Sequence, residues 1–272
     1  MDNNLSILQY REILLCMKSV YNIDLSNYSL TSLRRNIQNI IQNSRYKRTD
    51  KFLENLPNDK SLMHLILFNL YNESETVFRD PAMWRVLQHQ IIPAITEKEN
   101  LKIWLPEGAP EELFSLSIVL YELNVLNQSH IVVSGQSIEY LEKMRRNGFE
   151  IQDFENAEAN YIRYNSHGDF KKYFDQSEKK FFLKKELLLK VHYQTADIFS
   201  IKLPYKPNLV LFRNRFLFFN HALEQKVINR FYDLMPGGGV LVCGIKENLE
   251  IFLVQDKFRI VDVEESIYKR LF

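Results

Sequence analysis

The chain has 272 residues, of which 46% are apolar and 25% charged, with a formal net charge of +1. This length suits about two domains, or one domain with an attached module, and a core of ordinary size. The near-zero charge excludes a global field that favours nucleic acid or an acidic membrane surface. No stretch of about 18 apolar residues exists, so no membrane span is predicted.

Residues 1–72 read as an N-terminal helical domain. Ile7, Tyr10, Leu14 and Met17 recur at helical spacing, as do Leu33, Ile37, Ile40 and Ile41. Asp24-Leu25-Ser26 and Ser29-Leu30-Thr31 supply turn and N-cap chemistry between the segments. Arg34, Arg35, Arg45, Lys47 and Arg48 make this part locally basic. That charge reads either as a solvated helix face or as a docking surface for an acidic partner helix. Residues 73–100 form a linker and first helix.

From Leu101 the pattern changes to alternating strands and helices, and the rest of the chain, 101–272, reads as one α/β domain. Strands are expected at Leu101–Leu105, Ile131–Ser134, Leu209–Phe212, Gly239–Cys243 and Arg259–Val263. Helices are expected at Glu111–Leu126, at Ile138–Asn147 closed by Gly148, and at Ala222–Met235 ending in Pro-Gly. Such alternation implies a mostly parallel sheet with helices on both faces, and ligands outside the carboxyl ends of its strands. Residues from about 158 to 195 interrupt the rhythm with many Tyr, Phe and Lys. Gly168 and Asp175-Gln176-Ser177 read as turns there, and short inserted antiparallel strands fit the segment.

Glycine is scarce, at 8 residues, and three of the eight are Gly237–Gly239. Little flexible backbone remains for cradling a nucleotide. Cys16 lies in a helical pattern and Cys243 in a strand-like run, which reads as buried thiols rather than a disulfide or nucleophile. The start, Met1-Asp2-Asn3-Asn4, carries no basic and apolar leader pattern, and a cytoplasmic setting is expected. The six histidines form no spaced metal set, so no metal is expected.

Several motifs carry a resemblance. They are Val77-Phe78-Arg79-Asp80-Pro81 followed by Trp84, Ile103-Trp104, Glu111-Glu112-Leu113-Phe114-Ser115-Leu116, Leu209-Val210-Leu211-Phe212-Arg213-Asn214, Leu234-Met235-Pro236-Gly237-Gly238-Gly239 and Lys246-Glu247-Asn248-Leu249. Over nearly its whole length the chain resembles the CheR family, S-adenosylmethionine-dependent methyltransferases that esterify glutamates of bacterial chemoreceptors. The resemblance implies a Rossmann-like methyltransferase domain with a seven-stranded, mostly parallel sheet, an N-terminal helical domain and a small inserted antiparallel β-subdomain. It implies S-adenosylmethionine as cofactor. It implies a chemoreceptor or other signalling protein as partner, gripped by the N-terminal helices or by strand addition at the β-subdomain. An activated sulfonium methyl group and an ionised glutamate need alignment in a dry cleft more than a general base.

By resemblance the cofactor-binding candidates are Thr76, Arg79, Gly108, Glu111, Asp197, Asn214 and Arg215, with Arg79 also the catalytic candidate. Each has a plainer alternative. Arg79 could pair with Asp80 or Glu75, and Glu111 could simply favour a helix N-terminus. Asn214 could be a strand-end turn residue and Asp197 a surface residue.

The chain also departs from the family. The loop expected as G-C-S-T-G-E-E reads Leu105-Pro106-Glu107-Gly108-Ala109-Pro110-Glu111-Glu112, one residue shorter and with two prolines, which donate no N–H. Glu107 is expected to bring a carboxylate to where the cofactor's own carboxylate lies. The strand end A-T-D-I reads Val133-Ser134-Gly135-Gln136, so the ribose-binding aspartate becomes Gly135. The run V-[LM]-I-Y-F reads Arg215-Phe216-Leu217-Phe218-Phe219, which places Phe218 where the family has tyrosine. Together the departures imply a degenerate cofactor site on a retained fold, and a pseudo-methyltransferase acting by protein binding. The alternative is an active protein-glutamate O-methyltransferase with an unusual pocket.

Overall fold

The computed structural model describes residues 5–70, 76–145, 153–177, 180–247, 249 and 257–272. The expected linker start at 73–75, the helix end at Asn147-Gly148, and Asn248 lie outside the described residues. The chain divides into a helical unit, residues 1–73 with 215–226, and a larger α/β unit, residues 74–214 with 227–272.

The helical unit contains α1 (Ile7–Tyr21), α2 (Leu30–Asn43), α3 (Thr49–Asn55) and α4 (Lys60–Phe68). Ser6 starts α1 with a reciprocal capping box to Gln9, and Asn22 ends it in the left-handed region. The buried stripe of α1 is Tyr10, Ile13 and Met17, whereas Ile7 is exposed and Leu14 half-buried. The expected stripe was therefore rotated by one residue at Leu14. Leu33, Ile37, Ile40 and Ile41 bury as the α2 spacing predicts. Much of the basic character is answered locally, since Arg45 pairs with Asp59, Arg48 with Asp50, and Arg34 donates to the Leu5 carbonyl. Residues 215–226 add a short 3₁₀ turn, Phe216–Phe218, and Tyr28 meets Phe219 edge-on at 5.3 Å.

The α/β unit opens with α5 (Pro81–Val86), continued through a π-type turn, Leu87–Ile91, into α6 (Ile92–Thr96). Then follow β1 (Lys102–Pro106), α7 (Pro110–Glu122), β2 (His130–Gly135), α8 (Ile138–Arg145), α9 (Phe154–Tyr164), β3 (Phe174–Ser177), β4 (Lys180–Leu183), β5 (Val191–Thr195), β6 (Leu209–Leu211), α10 (His221–Leu234), β7 (Val240–Val242), β8 (Phe258–Asp262) and β9 (Ile267–Arg270). The first six residues of α10 belong to the helical unit.

The main sheet has seven strands in the order β5-β2-β1-β6-β7-β9-β8. The first five run parallel, and β9 is antiparallel to both β7 and β8. Parallel strands buried on both faces read as unbroken apolar runs. Ile103, Leu105, Ile131, Val133, Leu209 and Leu211 enter the main core with Leu113, Leu116 and Leu120 of α7. Trp104 points to the opposite face, against Phe231 at 5.6 Å.

The inserted segment differs from expectation in three ways. Its start, expected at about residue 158, lies inside a helix, α9 (Phe154–Tyr164). Asp175-Gln176-Ser177, expected as a turn, belong to β3 and pair antiparallel with β4. Val191–Thr195, expected inside the insert, is the edge strand of the main sheet beside β2.

The abundant aromatics of this segment serve packing. Phe78 contacts Tyr161, Tyr164 and Phe170, and Phe154 stacks on Phe181 at 3.8 Å. Their hydroxyls converge on Glu122 at the end of α7. Tyr161 and Tyr173 donate to Oε1 at 2.5 and 2.7 Å, and Tyr164 donates to Oε2 at 2.8 Å. Burial, with the neighbouring carboxylate, pushes all three phenols above their ordinary range. Gly168 has to be glycine here, because a Cβ would lie 2.0 Å from the Tyr161 hydroxyl.

Candidate functional site

The carboxyl ends of β1, β2, β6 and β7 meet at one rim of the sheet, where folds of this kind hold ligands. The β1 rim is a tight turn in which Glu107 takes φ +50°. Proline fills positions 106 and 110 and offers no N–H there. The Glu107 N–H donates to the Ser134 carbonyl at 2.7 Å, which extends the β1–β2 ladder. The Ala109 N–H donates to Glu112 Oε2 at 3.3 Å, which closes the first turn of α7. Gly108 sits so close to Leu105 that a Cβ would be 2.8 Å from the Leu105 Cβ. Between Pro106 and Pro110, then, two of three backbone N–H groups are committed inside the protein.

The Glu107 side chain faces the end of β2. Its Oε2 lies 3.3 Å from where a Gly135 Cβ would stand. The carboxylate therefore reaches the end of β2, beside the position where the resemblance expects an aspartate. The left-handed backbone at Glu107 turns the side chain across to the neighbouring strand.

A buried ion cluster holds the strand ends together. The Arg213 side chain, only 1% exposed, reaches Asp80 Oδ2 at 2.5 Å and Glu112 Oε1 at 3.8 Å. Its guanidinium carbon stands 5.8 Å from the Trp84 ring centre. The linker, α7 and β6 are thus tied at one point. A second tie is Glu247, whose Oε2 accepts the N–H groups of Asn214 at 2.9 Å and Gly244 at 2.5 Å. Burial and the Glu247 carboxylate raise the Cys243 thiol well above its ordinary range, so this free cysteine is no ready nucleophile.

The expected site residues separate into groups. Arg79 is half-buried between two left-handed residues, Phe78 at φ +57° and Asp80 at φ +58°. Its carbonyl accepts Trp84 Nε1 at 3.0 Å, and Phe78 N–H donates to Ser115 Oγ at 2.7 Å. Non-glycine residues adopt that backbone at a cost, which marks a segment held in place by its surroundings. Asp80 is engaged by Arg213, and Glu75 lies outside the described residues.

Thr76 Oγ1 accepts Asn160 Nδ2 at 3.1 Å. Glu111 is half-buried in the first turn of α7. Asn214, at φ +58°, is a buried strand-end turn residue. Asp197 uses both oxygens on its own turn, accepting from the backbone of Phe199 and Ser200 and the Ser200 hydroxyl. Arg215 and Phe218 are buried members of the helical unit. Sequence reasoning did not single out Asp80, Glu112 and Arg213 as a polar centre, although each stands inside a motif it quoted. The signal was available as one cation and two carboxylates at three family motifs.

Among the described residues no group of three or more His, Cys, Asp or Glu is placed to hold a metal ion. No helix among them is long and apolar enough to cross a membrane.

The family described as CheR methyltransferase, SAM binding domain, matches residues 72–267. A Pseudomonas putida protein named as methyltransferase Cher3 is 22% identical over 95% of this chain and 96% of its own. A chemotaxis protein methyltransferase of Listeria innocua is 22% identical over 84% of this chain and 85% of its own. Among solved structures, the riboflavin-analogue dimethyltransferase RosA of Streptomyces davawensis aligns with 97% of this chain and 69% of its own, at 11% identity and a TM-score of 0.45. The N-methyltransferase NodS of Bradyrhizobium japonicum, in complex with S-adenosyl-l-homocysteine, aligns with 72% of this chain and 89% of its own, at 8% identity and a TM-score of 0.36. The family match spans most of the sequence, and the chain belongs to the CheR methyltransferase family, whose domain takes S-adenosylmethionine as cofactor.

Proposed function

We propose that this chain is a CheR-fold protein with a degenerate S-adenosylmethionine site, a pseudo-methyltransferase that works by binding protein partners in cytoplasmic, chemosensory-type signalling. The observation that carries this reading is the fate of the loop's donors. Two positions are proline, and the N–H groups of Glu107 and Ala109 serve Ser134 and Glu112. The absence of a carboxylate side chain at Gly135 supports the same reading. Loss of a ribose carboxylate alone costs about 2–4 kcal/mol, roughly 30- to 700-fold in affinity. Loss of loop donors weakens binding further.

The partner reading draws support from the chemotaxis methyltransferases among its relatives. It draws support also from a groove of about 420 Å³ on the helical unit, lined in part by the amides of Asn36, Asn39 and Asn43 of α2. Side-chain amides there offer both donors and acceptors to a polypeptide.

Calorimetric titration of the full chain with S-adenosylmethionine and S-adenosylhomocysteine tests the reading. No heat of binding is expected below millimolar ligand, and micromolar affinity for either overturns it. A second reading, an active protein-glutamate O-methyltransferase, is favoured by the strained, well-anchored Arg79 segment. It requires base-labile methyl transfer to receptor fragments, and absence of transfer across a receptor panel counts against it.

A further inference from the structure

The opposite rim of the sheet carries a second feature, independent of the cofactor site. Lys269 of β9 stands directly across from Arg259 of β8, and across from Val240 of β7 on its other side. Directly opposed residues in an antiparallel pair have Cβ atoms about 5 Å apart, and like charges in that relation are destabilising. Neither cationic head has an ion-pair or hydrogen-bond partner among the described residues.

Both line a cavity of about 220 Å³, and Lys98, just beyond α6, lines it as a third cation without such a partner. Glu99 is the carboxylate in the lining, and it is held at 3.2 Å by Lys102. One wall is the turn Pro236–Gly239, closed by the Gly239 N–H on the Pro236 carbonyl at 3.0 Å. Gly238 takes φ +82° there, and a Cβ on it would meet the Lys269 stem at 3.7 Å. The bare turn leaves room beside the lysine. Ile95, Val240 and Val261 give the cavity an apolar side.

Three cations around one cavity, without an ion-pair or hydrogen-bond partner among the described residues and two of them set side by side by strand register, suit an anionic ligand. We propose that this cavity is a binding site for a phosphomonoester with a small apolar body. A dianion answers three cations better than a monoanion does. The tetrahedral oxygens suit separate donors from the turn after α6, from β8 and from β9, and the apolar wall suits an attached ring or alkyl group. The site lies at the amino ends of the parallel strands, so it is distinct from the rim that holds Glu107.

The test uses the full chain and inorganic phosphate, phenyl phosphate and benzoate, each against sodium chloride at matched ionic strength. Phenyl phosphate should raise the thermal midpoint most and bind several-fold more tightly than inorganic phosphate or benzoate, by calorimetry. Replacing both Arg259→Gln and Lys269→Gln should weaken phenyl phosphate at least about tenfold, the loss of one or more charge-assisted hydrogen bonds. Lys269→Gln should at the same time raise the ligand-free midpoint, because it relieves the like-charge pair. A purely structural lysine would give the reverse. Lys98→Gln, in a turn outside the sheet, should weaken binding without altering the ligand-free midpoint. The proposal is overturned by absence of any shift beyond the chloride control. It is also overturned by an equal phosphate response in wild type and the Arg259/Lys269 variant, which would mark binding elsewhere.

Discussion

Gly135→Asp supplies the carboxylate that the resemblance expects at the end of β2, and the structure sets its cost. The new Cβ would lie 3.3 Å from Glu107 Oε2 and 3.9 Å from Leu141 Cδ2. The steric share is small, because the closest atom is the far end of a flexible side chain. The electrostatic share is larger. Two carboxylates about 4 Å apart repel by about 4 kcal/mol at an effective dielectric of 20. Partial exposure of Glu107 and solvent screening reduce this to about 1–2 kcal/mol. Glu107→Gly removes that repulsion, and glycine takes φ +50° without strain. The double variant should therefore recover about 1–2 kcal/mol relative to the sum of the singles. Urea denaturation of all four proteins gives this coupling directly. Titration with S-adenosylhomocysteine should show about tenfold or tighter binding in the double variant than in wild type. A coupling below about 0.3 kcal/mol would refute the idea that Glu107 occupies the space of the lost side chain. Micromolar binding by wild type would instead refute the degenerate-site reading, so the two failures are distinguishable.

Glu122→Ala strands three tyrosine hydroxyls and should cost about 3–4 kcal/mol in urea, whereas Glu122→Phe paired with Tyr161→Phe and Tyr164→Phe should cost less than the sum of its parts. The same cluster gives a pH dependence. The folded phenols of Tyr161, Tyr164 and Tyr173 titrate above their unfolded value of 10, so their stabilisation is complete below pH 10 and falls as pH rises beyond it. Tyrosinate absorbance against pH should show these three ionising only as the fold is lost. Arg213→Ala leaves two carboxylates without their buried cation and should cost about 3–5 kcal/mol by thermal or urea unfolding; adding Asp80→Asn and Glu112→Gln should restore a large part. Gly244→Ala puts a methyl group 2.9 Å from the Asn214 nitrogen and should destabilise by about 1–3 kcal/mol, measured the same way.

The legible parts of the sequence were those where one physical signal dominates. Buried parallel strands announce themselves as apolar runs, so β1, β2, β6 and β7 were found within a residue or two. Strands of mixed character do not. Val191–Thr195, at the sheet edge, alternates apolar and polar residues and pairs on one side only, and Ile267–Arg270, an inner strand between β7 and β8, ends in two cations. Neither looks like core. The start of the insert read poorly because its aromatics, Tyr161 and Tyr164, stood out more than its helical spacing, and their contacts with Phe78 and Glu122 are tertiary. At the candidate site, the missing donors were visible as two prolines. The direction of Glu107 was not visible, because a single left-handed φ sends its side chain to β2. Nor was the Arg213 cluster, whose arginine stands more than a hundred residues from either carboxylate and meets them only in three dimensions.

The arrangement of these contacts bears on how a cofactor loop can change while its fold persists. The strand ends are joined by Arg213 with Asp80 and Glu112, and by Glu247 with Asn214 and Gly244. None of these ties uses a backbone donor of the Pro106–Pro110 turn except through Glu112, whose other oxygen caps α7 from within. A loop that waits for a ligand must leave polar groups open, which costs stability without the ligand. Here the turn satisfies itself on Ser134 and Glu112, and its two prolines reduce the freedom of the unfolded chain. On the proposed reading these substitutions favour the ligand-free fold, and they leave the scaffold ties untouched. The prediction that follows is directional: replacing Pro106 and Pro110 with glycine should lower stability even if it reopens the turn to a ligand, and only added S-adenosylhomocysteine should recover the loss. If the glycine variant is as stable as wild type without ligand, the turn is not self-satisfied and the argument fails.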